Sequence, residues 1–331
     1  MADTQLGHRS PSPQTTAPPL MTIEDSAKTP HLIEIPRIPD ARGNLSFIQR
    51  CATGVTFDIS RTYWIYDVPA DADRHGRALR NTAEVIVPLA GAFDVTLDDG
   101  LGGARRYHLD RPYRGLYVPP MRWRVIDNFT TNSVAFVLAS TIYDEADYIS
   151  DYHDFVHEVA NSRDSLKTPT PSPAIREHNA EKCVREADIH CISSVDNCRL
   201  IDLPRHVHAN GSLTVAQNDS ISPMKIRRAF YIYDVPADTA RGGHSHHNSQ
   251  QMIIAVGGSF DVTLDDGVQR RTYTLNRPYR ALYVTPGIWR TMDNFSSGSV
   301  CLVLTDTEYA ESDYVRHYND FQRLTQSKKQ S

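Results

Sequence analysis

The chain of 331 residues contains the same sequence pattern twice. Ile65-Tyr66-Asp67-Val68-Pro69-Ala70-Asp71 returns as Ile232-Tyr233-Asp234-Val235-Pro236-Ala237-Asp238. Phe93-Asp94-Val95-Thr96-Leu97-Asp98-Asp99-Gly100 returns at the same spacing of 167 as Phe260 through Gly267. One residue fewer in the next turn sets the spacing to 166. Arg111-Pro112-Tyr113-Arg114 then matches Arg277-Pro278-Tyr279-Arg280, and Asp127-Asn128-Phe129 matches Asp293-Asn294-Phe295. Matches of this length in register require a duplication, so both halves must build versions of one fold. The repeats span 31–158 and 197–323. Residues 1–30 read as a polar, disordered N-terminal tail and 324–331 as a C-terminal tail. Residues 159–196 form the joint, with Thr168-Pro169-Thr170-Pro171-Ser172-Pro173 as an extended linker.

Within a repeat the segments are short, β-branched or aromatic, and separated by turns. Ala229–Val235, Met252–Val256, Ser259–Leu264 and Ala281–Val284 read as strands. Asp265-Asp266-Gly267 is a hairpin turn, where glycine relieves the steric cost of a positive φ. Helical periodicity is absent until the acidic end of each repeat, where Asp306–Phe321 closes as a short helix or a terminal strand. The expected class is all-β, a sandwich or barrel in each repeat.

Several functions are excluded early. A net charge of −5 argues against a protein built to neutralise nucleic-acid phosphates. No apolar run is long enough to span a membrane, and the polar N-terminus has no secretory h-region. The five cysteines, Cys51, Cys183, Cys191, Cys198 and Cys301, are odd in number and lack zinc-ligand spacing. A cytoplasmic protein with reduced thiols is expected.

The chemistry concentrates in repeat 2, at Arg241-Gly242-Gly243-His244-Ser245-His246-His247-Asn248-Ser249-Gln250-Gln251. Side chains alternate along a strand, so His244 and His246 share a face, here the barrel interior. At the 167 spacing, repeat 1 has Arg77 in place of His244, Leu79 in place of His246 and Glu84 in place of Gln251. A purely structural histidine pair should have been needed in both copies, so its absence from repeat 1 favours a chemical role. The pattern resembles the first cupin motif, His-x-His followed by a carboxylate. Gln251 replaces that carboxylate, and 286–294 offers no later histidine. Two imidazoles fall short of the three ligands usual for a catalytic metal, so no metal is expected.

Each repeat resembles the nucleotide-sugar 3,4-ketoisomerases, cupin enzymes acting on dTDP-4-keto-6-deoxyglucose. The resemblance runs through Arg228, the Tyr231-Ile232-Tyr233-Asp234 strand, Arg241-Gly242-Gly243-His244-Ser245-His246 and Gln251. It continues in Leu264-Asp265-Asp266-Gly267, Leu282-Tyr283-Val284, Trp289 and Asp313-Tyr314-Val315-Arg316-His317-Tyr318. It implies two tandem cupin jelly-roll (double-stranded β-helix) domains, no cofactor, and a dTDP-linked keto-sugar substrate. It also implies a dimer that exchanges N-terminal strands. Moving a carbonyl from C4 to C3 removes a proton alpha to the ketone and returns it one carbon away. Imidazole, with a pKa near 6.5, suits both steps. His244 or His246 is the expected base. Arg228 and Arg241 are candidates for the diphosphate, since guanidinium forks match its oxygens. Gln251, Tyr231, Tyr283 and Trp289 are the further substrate-binding candidates; core packing competes for Tyr283 and Trp289.

The sequence departs from the family at three positions. Repeat 1 has the family's Arg-Gly as Arg42-Gly43, but repeat 2 has Asn210-Gly211; Phe230 stands where tyrosine is common, and Arg290 where a histidine follows the tryptophan. If the repeats exchange first strands as a pseudo-dimer within the chain, Arg42 reaches the pocket of His244 and His246, and Asn210 the pocket without histidines. The expectation is one working site and one disused site, with further homodimerisation left open. Two alternatives remain: a non-catalytic nucleotide-sugar-binding cupin, and a metal-dependent cupin enzyme using His206 or His208 as an additional ligand.

Overall fold

A computed structural model of the chain describes residues 27–50, 54–69, 72, 74–165 and 193–330. The proline-rich run 168–173, nearly all of the N-terminal tail, and Cys51, Cys183 and Cys191 lie outside these residues. Repeat 1 contributes β1 (His31–Glu34), β2 (Arg37–Asp40), β3 (Gly43–Gln49), β4 (Arg61–Tyr66), β5 (Arg74–Leu79) and β6 (Glu84–Ala90). It continues with β7 (Phe93–Asp98), β8 (Ala104–Leu109), β9 (Arg114–Val118), β10 (Trp123–Asp127), β11 (Val134–Ala139), β12 (Tyr148–Ile149) and helix α1 (Tyr152–Ser165). Repeat 2 follows the same order with β13 (Arg199–Asp202), β14 (Arg205–His208), β15 (Gly211–Gln217), β16 (Arg228–Tyr233), β17 (Arg241–His246) and β18 (Gln251–Gly257). It closes with β19 (Phe260–Asp265), β20 (Arg270–Leu275), β21 (Arg280–Val284), β22 (Trp289–Asp293), β23 (Val300–Thr305), β24 (Tyr314–Val315) and helix α2 (Tyr318–Gln330). The ambiguous acidic end thus forms both a strand and a helix, and α2 runs through residues read as a tail.

Each repeat pairs a seven-stranded antiparallel sheet with a five-stranded one, the two-sheet closure of a jelly roll. The larger sheets run β1-β9-β6-β11-β4-β15-β14 and β13-β21-β18-β23-β16-β3-β2. Both contain strands from the other repeat. Residues Gly211–Gln217 lie beside β4, with Leu213 opposite Ile65, and residues Gly43–Gln49 lie beside β16, with Phe47 opposite Phe230. The repeats exchange their hairpins β2–β3 and β14–β15.

This exchange explains why β4 and β16 read as unbroken apolar runs. All six residues of each are buried, because both faces of the sheet are covered. In β16, Phe230 and Ile232 point into the repeat-2 barrel with Ile253, Val262, Leu282 and Met292. The alternate residues Ala229, Tyr231 and Tyr233 enter a core shared with Trp64, Tyr66, Val85 and Phe136 of repeat 1. Trp64 and Tyr231 occupy equivalent positions. The Trp64 indole donates 2.8 Å to the Pro278 carbonyl, and the Tyr231 hydroxyl donates to the Pro112 carbonyl. These two bonds tie the repeats together with pseudo-two-fold symmetry.

Candidate active site

The site is built on β17, where local backbone chemistry decides which side chains face inward. Opposite β22, Arg241 pairs with Met292, Gly242 with Thr291 and His244 with Arg290, so Gly243 is an extra residue in a bulge. Gly242 and Gly243 have φ of +85° and +66°. At Gly242 a Cβ would also lie 2.9 Å from the Arg290 carbonyl oxygen. The bulge shifts parity by one residue. Arg241, which strict alternation would turn away from His244, therefore shares its inward face.

Four strands converge on the two imidazoles. Their ring centroids are 5.0 Å apart in an edge-to-face arrangement, and both rings pack on Tyr314 from β24. His246 is buried, and its Nδ1 lies 2.9 Å from Oδ2 of Asp313. The carboxylate only accepts, so Nδ1 carries the proton and Nε2 presents the lone pair. Gln251, at the start of β18, places its amide nitrogen 2.9 Å from that Nε2, while its own Oε1 is buried without a partner. His244 Nε2 lies 3.0 Å from Nη2 of Arg290.

Arg290 is 2% exposed, and its other contacts are to the Met292 sulfur; Nε has no partner. Among the described residues no carboxylate pairs with it. Arg228 is also buried and donates 3.3 Å from Nε to Thr305. The buried guanidiniums of Arg228 and Arg290 thus act on the histidines, and that of Arg241, on the histidines' own strand, is buried as well. An acid from the exchanged hairpin, Asp40, answers Arg241, with Oδ2 3.3 Å from its Nη1. Arg42 extends from the same hairpin at the rim, half-exposed and bonded to Asp40 at 2.7 Å.

This surrounding holds both histidines neutral. Burial, then the nearby Arg290 charge, pushes His244 well below its ordinary value. Burial likewise pushes His246 down to about 4, against the Asp313 hydrogen bond, which favours the protonated ring. For Asp313, burial alone would raise the carboxyl. Hydrogen bonds from His246, Ser249 and the Asn248 amide outweigh it and keep the group ionised. The arrangement offers a proton acceptor at His246 Nε2, cations for an anionic substrate, and a guanidinium beside the second imidazole.

Three expected substrate contacts are elsewhere. Tyr231 faces the core between repeats, the opposite side of its strand from Phe230. Tyr283 faces that core too, and its hydroxyl donates to Gln250 Oε1. Trp289 packs with Tyr318 and Phe321 beneath α2, on the outer side of β22. In each case period-two alternation selects the wrong face, since Phe230, Leu282 and Arg290 are the inward neighbours. His206 and His208 line the repeat-1 barrel, so they are not placed to join His244 and His246 around a metal. Asp313 and Tyr314 belong to the family pattern without a role that the sequence assigns; their signal is their recurrence as Asp147 and Tyr148.

Comparison with known proteins finds relatives of each repeat. A relative from Aneurinibacillus thermoaerophilus, a TDP-4-oxo-6-deoxy-alpha-D-glucose-3,4-oxoisomerase, is 35% identical over 125 residues, covering 38% of this chain and 90% of its own length. Among solved structures, a 3,4-ketoisomerase from Helicobacter canadensis is 35% identical, with TM-score 0.39, covering 39% of this chain and 98% of its own. A 3,4-ketoisomerase from Thermoanaerobacterium thermosaccharolyticum, solved as a mutant with TDP-4-keto-6-deoxyglucose, is 33% identical, with TM-score 0.39, over 40% of this chain and 95% of its own. The FdtA family (WxcM-like, C-terminal) matches residues 28–160 and again 196–326. The chain belongs to this family and carries its domain twice.

Proposed function

We propose that repeat 2 is a sugar 3,4-ketoisomerase that converts a dTDP-4-keto-6-deoxyhexose to the 3-keto isomer. The observation that carries this reading is the His246–Asp313 pair, inward-facing and 2.9 Å apart, with the buried arginines Arg228 and Arg290 acting on the imidazole. The relative from Aneurinibacillus, whose length is covered almost fully, supports the substrate class.

His246 Nε2 takes the C3 proton while Asp313 holds the Nδ1 proton and steadies the imidazolium that forms. The C3–H electron pair becomes the C3–C4 double bond, and the C4 carbonyl oxygen becomes the oxyanion of an enediolate. Arg290 is suited to that oxygen, because its guanidinium is desolvated and lacks a carboxylate partner. The C3 hydroxyl proton passes to the C4 oxygen and the imidazolium returns its proton to the C4 carbon, which leaves the carbonyl at C3 and a hydroxyl at C4. Arg228 and Arg241 take the diphosphate, with Arg42 at the rim, and Gln251 moves from His246 to a substrate oxygen. No other co-reactant is needed. Nuclear magnetic resonance of the products from TDP-4-keto-6-deoxyglucose tests the reading: the carbonyl carbon should move from C4 to C3. Unchanged substrate with tight binding would instead make repeat 2 a nucleotide-sugar-binding module.

A further inference from the structure

Repeat 1 lacks the histidines but keeps a cavity. It has a volume of about 990 Å3 and is lined by Arg61, Arg74, Arg77 and Arg124, with Tyr143 and Tyr148 among its walls and no carboxylate among its lining residues. Arg61 is 3% exposed, and its Nε is buried without a partner. Arg74 is 7% exposed, and its hydrogen bond is to the Asn210 carbonyl at 3.4 Å. Arg124 is answered by Glu84, which also accepts from the Tyr63 hydroxyl at 2.6 Å. Arg77 lies over the Tyr148 ring.

The differences from repeat 2 remove the histidines while leaving the balance of charge as it was: Arg77 for His244 and His208 for Asp40 are offset by Glu84 for Gln251 and Asn210 for Arg42. The exchanged hairpin that brings Asp40 to Arg241 brings His208 to the corresponding place beside Arg74, so the acid is missing. Arg77 replaces an imidazole with a permanent cation, and Leu79 replaces the proton acceptor with a hydrocarbon. Arg61, Arg74 and Arg124 stand where repeat 2 has Arg228, Arg241 and Arg290, so the guanidiniums are kept where the proton acceptor is lost. Buried guanidiniums without counter-ions are strongly unfavourable in an empty protein, and a bound dianion turns the same groups into bidentate hydrogen bonds. The cavity lies within the roughly 300–1,000 Å3 range of small-molecule sites, and Ile65, Leu213 and Val215 give it an apolar wall.

We propose that the repeat-1 barrel is a second ligand site, which holds a diphosphate-bearing small molecule without isomerising it. The demand for an anion rests on the arginines alone; the choice of a diphosphate ester rests on the isomerase reading of repeat 2. The test is calorimetric titration of the full chain with thymidine diphosphate, and separately with inorganic pyrophosphate. Two equivalents of thymidine diphosphate should bind per chain. The R61Q/R74Q variant should lose one of them, with at least a tenfold loss of affinity, and keep the other, which shows that it is folded. R241Q should weaken the opposite equivalent. Pyrophosphate competing for the equivalent lost in R61Q/R74Q would place the diphosphate among the arginines. A single equivalent that vanishes in R61Q/R74Q would support this site while counting against the repeat-2 reading. A single equivalent unchanged in R61Q/R74Q would overturn the proposal.

Discussion

A buried histidine flanked by arginines is a weak base in the free protein, and substrate binding alters that. Burial and the charges of Arg290 and Arg228 oppose protonation of His246. Pairing those guanidiniums with the diphosphate and the enediolate oxygen removes part of the opposition and raises the ring's basicity when a proton must be taken. The acid limb of kcat/KM, which reports the free enzyme, should therefore lie well below 6.5, toward 4. The limb of kcat, which reports the complex, should lie at higher pH. Asp313→Asn removes the partner that favours the charged ring, so both limbs should move to lower pH and kcat should fall at least about tenfold. Coincident limbs at 6.5, unmoved by the substitution, would contradict this account. The paired histidines were legible in the sequence because they are adjacent. The partners that tune them were not, since Asp313 and Arg290 arrive from 67 and 46 residues away.

At the level of elements, two local devices assemble the site. The first is the β17 bulge. Gly242→Ala would put a side chain at a φ of +85° against the Arg290 carbonyl, costing about 1–2 kcal/mol from the left-handed backbone alone. A lower melting temperature should be accompanied by weaker substrate binding as Arg241 leaves the inner face. Alanine tolerated with unchanged melting and KM would show that the bulge is not needed. The resemblance named Tyr231, Tyr283 and Trp289 without saying which face of a doubly covered strand holds the site, and all three lie on the other face. The second device is the exchanged hairpin. Arg42 is exposed and bonded to Asp40, so Arg42→Ala should raise KM severalfold with little change in melting temperature, as for other surface substitutions. Unchanged kinetics would remove Arg42 from the site.

For the whole molecule, duplication has placed a pseudo-dimer within one chain. The family resemblance implied strand exchange, and the Arg42/Asn210 asymmetry then said which barrel would receive the intact Arg-Gly. The structure shows both exchanges, at β3–β16 and β4–β15. On the reading proposed above, the duplication frees the repeat-1 barrel from catalysis, and Arg77 and Leu79 in place of His244 and His246 mark that change. A fragment of residues 193–331 would leave β16 without its neighbour β3 and expose Tyr231, Met252 and Leu302 from the shared core. It should form a homodimer that exchanges β14–β15, detectable as a doubled mass by light scattering. A monomeric fragment with full activity would contradict the role assigned to repeat 1.

The most direct test asks whether His246 is the residue that moves the proton. TDP-4-keto-6-deoxyglucose is incubated in deuterium oxide with the native chain and with His246→Asn, and recovered sugar is analysed by mass spectrometry and proton resonance. The native chain should place solvent deuterium at C3 of the substrate and C4 of the product. The variant should bind the nucleotide sugar yet incorporate at least about 100-fold more slowly. Incorporation at the native rate by the variant would contradict the account.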